Sequence, residues 1–191
     1  SKETGGLAAL TPHELVGQLL SSLKDRNGPD SVTRAESLTL GCVGQVGAQG
    51  GHLALVSRLH AGLPDTLRAL TLNNFCVSGL TAINMSAEEA QARGDDRLRL
   101  AGGVEMMSRV PFMGDKAFYY ADARTAQSLN YVPVALSADL MATMEGFTKE
   151  DLDRVTARSH QRAAKAWEAG GLDEVIAIRA EDGSVALAID E

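Results

Sequence analysis

The chain has 191 residues, 45% hydrophobic and 23% charged, with a formal net charge of -7 from 18 Lys and Arg against 25 Asp and Glu. That is enough apolar residue to bury a core in one domain or one and a half, which excludes disorder as the dominant state, and no run of basic residues could neutralise a nucleic-acid backbone. Apolar stretches break well short of the roughly 18 residues that cross a bilayer, and Ser1 to Gly6 hold no apolar signal core, so neither membrane nor export is expected.

The first element begins at Thr11-Pro12-His13-Glu14, a capping box with Pro at the first helical position, followed by Leu15, Val16, Leu19, Leu20 and Leu23 on one face; Asn27-Gly28-Pro29 ends it. Ser37 to Leu40 is expected as a short buried strand running into a glycine-rich segment, Gly41 to Gly51. That segment lacks both the Gly-Lys-Ser/Thr ending of a P-loop and the spacing of a dinucleotide turn, so it is read as a tight connection whose backbone passes close to another element. A helix from Leu53 to His60 follows, stopped at Ala61-Gly62-Leu63-Pro64.

Leu67 to Leu72 is expected as a second strand, Leu80 to Arg93 as a helix with Leu80, Ile83, Ala87 and Ala90 on one side, and Arg97 to Leu100 as a third strand closing on Ala101-Gly102-Gly103. This alternation implies an α/β fold, a mostly parallel sheet covered by helices. Residues 112 to 137, with Phe118, Tyr119, Tyr120, Tyr131 and Pro133, show no sustained period and read as a long excursion of the lid or binding-loop kind. Thr148 to Ala169 is the strongest helix, capped by Thr148 and Asp151 and stopped by Gly170-Gly171. Glu174 to Arg179 and Ser184 to Ile189, joined at Asp182-Gly183, are expected to form a β-hairpin. The expected division is therefore a core over residues 1–111 and a loop or lid region with the long helix and hairpin over 112–191.

Two cysteines, Cys42 and Cys76, with no C-x-x-C pair, supply neither a disulfide framework nor a thiolate metal site, and a reducing compartment, the cytoplasm, is expected. Cys76 lies where an apolar strand stops and a helix starts, a place that favours a thiolate and puts backbone N–H groups near a developing oxyanion. Two readings stand for it: a nucleophile on a thiol version of the nucleophile elbow, or a small hydrophobe packed in the core. Cys42 enters the glycine segment and is read as structural. Of the histidines, His13, His60 and His160 lie on helices and His52 follows the glycine segment; each reads as packed or superficial, His52 being the best candidate for a base. Glu105, in Gly102-Gly103-Val104-Glu105, is an acid or base candidate, with a hydrogen-bonding role at a turn favoured.

Asn73-Asn74-Phe75-Cys76-Val77-Ser78-Gly79-Leu80-Thr81-Ala82-Ile83, followed in order by Leu100-Ala101-Gly102-Gly103-Val104-Glu105-Met106-Met107-Ser108, resembles the thiolase family. The resemblance extends through Gly41 to Gly51, Ser159-His160-Gln161-Arg162-Ala163 and Asp173-Glu174-Val175-Ile176. It implies an acyltransferase that cleaves a 3-oxoacyl-CoA with a second CoA, or runs the reverse Claisen condensation, through an acyl-enzyme on Cys76. It further implies CoA and acyl-CoA as substrates with no resident cofactor or metal, and a homodimer or homotetramer. Cofactor-contact residues are not assigned.

Val77 stands where the family commonly has a small residue, Asn74 where a polar residue such as Arg is frequent, and Pro133-Val134-Ala135 where short-chain members place His-Met-Gly. The family's Gly-His-Pro base segment and its second cysteine, in Cys-x-Gly-Gly-Gly, are absent, as are its first strand and the strand with Asn-x-Ser-x-x-x-Asp-Gly-Ala. The chain is thus expected to be the N-terminal part of a longer thiolase, or a piece completed by another chain, and inactive alone. Two alternatives are a β-ketoacyl-synthase-like condensing enzyme, which usually shows Ala-Cys-Ser-Ser at the nucleophile, and a non-catalytic chain that binds acyl-CoA or stabilises a partner.

Overall fold

The computed structural model describes residues 4–170 and 172–189. In chain order these form α1 (Pro12–Asn27), α2 (Asp30–Thr33), β1 (Ser37–Gly41), α3 (Leu53–His60), β2 (Arg68–Leu72), α4 (Ser78–Arg93), β3 (Arg99–Gly103), α5 (Ala123–Ser128), α6 (Val134–Met144), α7 (Lys149–Glu168), β4 (Ile178–Arg179) and β5 (Val185–Leu187). The fold is α/β, as expected. Two compact units are present, residues 4–115 with 176–189, and residues 116–170 with 172–175.

In the first unit, β1 is the central strand of a parallel sheet ordered β2-β1-β3. Its five residues are all buried, and their alternation sorts the two faces. Leu38 and Leu40 join Val16, Leu20, Val32, Ala35, Ala54, Leu63 and Leu67 in the apolar core beneath α1 and α3. The opposite face carries Ser37, Thr39 and Gly41 and is covered by α4, whose buried side chains, Ser78, Ala82 and Ser86, recur every four residues.

That small-residue face corrects one expectation. Leu80 and Ile83 were expected on the packed side of α4, yet both are more than half exposed. The reason is the closeness of the helix to β1: only small side chains fit between them, so the face is chosen by backbone approach instead of by hydrophobicity. For the same reason α4 begins at Ser78, two residues before the apolar period starts.

β3 is displaced from its expected range, Arg97 to Leu100, to Arg99–Gly103. Pairing decides this, since Arg99 lies opposite Ser37 and Gly103 opposite Gly41, so the two glycines read as a strand end are ladder residues. The amino ends of the strands are held by charge. Arg99, nearly buried, reaches Asp95 at 2.8 Å, Glu89 at 3.5 Å and Glu36 at 3.6 Å. Hydrogen bonds from Arg99 to Asp95 and from Arg68 to Glu89 hold both carboxyls below the usual carboxylate range.

The hairpin forms as expected around Asp182-Gly183 but pairs only Ile178 with Leu187 and Arg179 with Val185. Gln18 of α1 grips it, donating to the Arg179 carbonyl and accepting from the Arg179 N–H, both at 2.8 Å.

In the second unit the expected structureless excursion contains a short 3-10 turn, Phe118–Tyr120, and the helices α5 and α6. A local cap starts α5, where the Asp122 carboxylate accepts from Thr125 N at 2.7 Å. Every residue of α6 except Ala142 is exposed, so no buried stripe imposes a period on the sequence. Tyr119 meets Tyr120 and Tyr131 edge-on, and Tyr120 and Tyr131 are tilted to each other, with ring centroids 4.8 to 5.9 Å apart. α7 carries the expected Thr148 and Asp151 capping box; of its expected stop, Gly170 adopts a left-handed φ of 67°, and Gly171 lies outside the described residues.

Candidate active site

The carboxyl ends of parallel strands are where an open α/β sheet presents its ligand site. Here three segments meet at that edge: Cys42 to Gly44 after β1, Asn73 to Val77 after β2 and Val104 to Met106 after β3. The strand ladder continues into them, with Cys42 N donating to Leu72 O at 2.9 Å and Val104 N to Gly41 O at 3.0 Å.

Cys76 is exposed, which removes the reading in which it packs in the core. Among the described residues no group hydrogen-bonds its thiol. The turn that carries it is held on both sides. Phe75, the residue before, has a φ of 48°, a left-handed conformation that costs a non-glycine residue roughly 1 kcal/mol and persists where its surroundings enforce it. The enforcement is visible: Phe75 N donates to Asn73 Oδ1 at 2.8 Å, and its carbonyl accepts from Ser78 Oγ at 2.5 Å and Ser78 N at 3.0 Å. Ser78 Oγ also accepts from Asn74 N at 2.8 Å, and Asn74 Nδ2 reaches Thr81 Oγ1 at 2.9 Å. Cys76 is thus presented on a stiff bend locked to the first turn of α4.

Beside that bend lies a polar cluster built on the glycine segment. Gln49, fully buried, accepts from Met106 N through Oε1 at 2.5 Å and donates through Nε2 to Gly44 O at 2.9 Å, Glu105 Oε1 at 2.7 Å and Cys42 Sγ at 3.4 Å. Glu105 additionally accepts from Val43 N at 2.7 Å and Gly44 N at 3.2 Å. The close passage expected of the glycine segment is seen here: a Cβ on Gly44 would meet Glu105 Oε1 and Val110 Cγ1 at 2.9 Å. Glu105 therefore holds backbone N–H groups, the role favoured for it over acid or base.

Cys42 is 1% exposed and belongs to this cluster. Burial first, then the charge of Glu105 and its hydrogen bond, push the Cys42 thiol from an ordinary 9.0 up to about 12. The folded chain therefore keeps the proton in a range where the unfolded chain releases it. The stability this contributes is full below pH 9 and is lost as pH rises from 9 towards 12, with a slope of order 1 kcal/mol per pH unit. Urea midpoints at pH 8 and pH 10 should fall further for the native chain than for Cys42→Ala; parallel falls would contradict the assignment.

The histidines take other roles. His52 caps α3, its Nδ1 accepting from Leu55 N at 3.3 Å and lying 3.1 Å from Thr71 Oγ1. His13 and His60 face each other edge to face, centroids 4.9 Å apart, and His160 lies on α7 in the second unit. Two residues central to the cluster and the bend, Gln49 and Asn73, were not singled out from sequence. A lone glutamine inside the Gly47 to Gly51 run was the available signal for the first, and an Asn at a strand end, where its side chain bonds nearby backbone, for the second.

The site is thus an exposed cysteine on a constrained bend at the carboxyl edge of the parallel sheet of an α/β fold, flanked by a helix start. The whole chain, residues 1–191, matches the family model of the thiolase N-terminal domain, and the chain belongs to the thiolase family. It is 32% identical to the beta-ketoadipyl-CoA thiolase of Pseudomonas aeruginosa over 98% of this chain and 51% of that protein. It is 33% identical to the 3-ketoacyl-CoA thiolase of Erwinia tasmaniensis over 93% of this chain and 46% of that protein. With the 3-oxoadipyl-CoA/3-oxo-5,6-dehydrosuberyl-CoA thiolase of Escherichia coli it shares 32% identity over 90% and 47%. The chain spans about half the length of these relatives. No helix among the described residues is long and apolar enough to cross a membrane.

Proposed function

We propose that this chain is the nucleophile-bearing part of a thiolase-type acyltransferase acting on 3-oxoacyl-CoA, with Cys76 as the acyl acceptor. The observation that carries the reading is the exposed Cys76 on its locked bend, in a chain whose full length matches the thiolase N-terminal domain. The Cys76 thiolate adds to the ketone carbonyl of the substrate, and backbone N–H groups at the bend stabilise the oxyanion. The bond between that carbonyl carbon and the adjacent methylene breaks; the methylene takes a proton and leaves as acetyl-CoA. The acyl group stays on Cys76 as a thioester until the thiol of a second CoA displaces it, and the reverse sequence is the Claisen condensation. The base that ionises Cys76 and the acid that protonates the leaving carbon come from outside the described residues, so the chain alone turns over poorly. CoA enters as substrate, with no resident cofactor. Self-association as a homodimer or homotetramer and a cytoplasmic setting belong to the same proposal, supported by the uncovered Leu80 and Ile83 of α4 and by two free cysteines.

A second reading, a chain that binds acyl-CoA without chemistry, draws support from the absence of a hydrogen-bonded base at Cys76 among the described residues. Iodoacetamide separates the two. It should label Cys76 and leave Cys42 untouched in the folded chain. Acetoacetyl-CoA should block the labelling, and the block should persist as a thioester after the free acetoacetyl-CoA is removed by gel filtration; protection that is lost on that removal would favour simple binding.

A further inference from the structure

We infer that Glu105 is a positioning residue for Cys76, acting through the Val43–Gly44 backbone and the side chain of Asn73; this rests on the proposed role of Cys76. Three N–H donors converge on the Glu105 carboxylate: Val43 N on Oε2 at 2.7 Å, Gly44 N on Oε1 at 3.2 Å and Gln49 Nε2 on Oε1 at 2.7 Å. A group that only accepts, through two oxygens and with a full charge, suits three donors; a glutamine in its place turns one of its two ends into a fourth donor.

The other side of Val43 continues the path. Its carbonyl accepts from Asn73 Nδ2 at 3.3 Å, and the same amide group offers Oδ1 to Phe75 N at 2.8 Å. One side-chain amide therefore links the segment after β1 to the strained Phe75, and the next residue is Cys76. Glu105, after β3, fixes where the Val43 carbonyl lies; that carbonyl fixes the Asn73 amide, and the amide holds Phe75 in its left-handed conformation. Gln49 braces Glu105 from the buried side, so the carboxylate cannot follow a loosened loop. The segments after all three strands are thereby set around one cysteine.

The test compares the native chain with Glu105→Gln, Asn73→Ala and the double variant by amide hydrogen exchange and by the rate of Cys76 acylation from acetoacetyl-CoA. Loss of a charge-assisted hydrogen bond corresponds to roughly tenfold. Exchange at Phe75 should quicken by about that factor in each single variant, and the double should go no further than the larger single, because both cut one path. The acylation rate should fall by a similar factor, with the acetoacetyl-CoA concentration for half-maximal rate unchanged. Exchange raised at all amides alike by Glu105→Gln would mean a purely structural role and would overturn the inference. If Glu105→Gln does not fold, Asn73→Ala, on the exposed bend, still decides: unchanged exchange at Phe75 overturns the relay. Should native Cys76 accept no acyl group while the coupled exchange effects persist, the proposed function fails and the relay stands.

Discussion

One methyl group added at Gly41 should disable Cys76, while the same methyl at Gly102 should pass unnoticed. Gly41 ends β1 directly beneath the first turn of α4, and a Cβ built there would lie 2.6 Å from Gly79 N and from Ser78 O, closer than real Cβ atoms approach. These are backbone atoms of a helix, so no rotamer change can yield and the helix start must move. Ser78 moves with it, and its hydroxyl holds both Asn74 N and Phe75 O, so the displacement reaches the bend around Cys76. Overpacking of this kind costs about 1–3 kcal/mol, and a nucleophile misplaced by about 1 Å loses on the order of 100-fold in rate. Gly41→Ala should therefore melt earlier and acylate about 100-fold more slowly per folded molecule. At Gly102 a Cβ meets nothing within 4 Å, so Gly102→Ala should stay within about 0.5 kcal/mol of the native chain. Thermal melts and acylation rates for the pair check this; a Gly41→Ala chain that melts and reacts normally would mean that α4 does not set the bend.

The second large effect is expected at Gln49. Leucine has nearly its volume and is apolar, yet Gln49→Leu leaves Met106 N and Gly44 O without their side-chain partner and takes one of two donors from Glu105 Oε1, which keeps Gly44 N. Each of the two stranded buried groups costs about 1–3 kcal/mol, so the substitution should remove about 2–6 kcal/mol, a large part of the 5–15 kcal/mol typical of a folded domain. A shift of the urea midpoint measures it. A change below about 0.5 kcal/mol, the range of an indifferent surface substitution, would show that the cluster is not the brace its geometry describes.

These two positions also show what the sequence could and could not say. α1, α3 and α7 were legible because their caps and periods are local, and β1 because Ser37 to Leu40 is a run of strand length that ends on the glycine segment. The packed face of α4 was not, since a rule that seeks apolar periodicity selects Leu80 and Ile83, while the helix lies so close to β1 that Ser78, Ala82 and Ser86 are the ones buried. β3 was misplaced by two to three residues for a related reason: Gly102 and Gly103 read as a loop until Thr39, Leu40 and Gly41 are seen beside them. At the site, position alone left Cys76 open between a nucleophile and a packed hydrophobe, and its exposure in the fold removes the second. The Gln49–Glu105–Cys42 cluster was not legible, because it unites segments more than 50 residues apart that only the parallel pairing brings together. α6 escaped notice because a helix with almost every side chain exposed leaves no stripe to read.

Whether Cys76 accepts the acyl group is read by intact mass spectrometry with peptide mapping after brief incubation with acetoacetyl-CoA. One acetyl group is expected, on the peptide carrying Cys76, with none on Cys42 and none in Cys76→Ala. An unmodified Cys76, or acetyl groups shared equally by Cys42 and Cys76 in the folded chain, would contradict it.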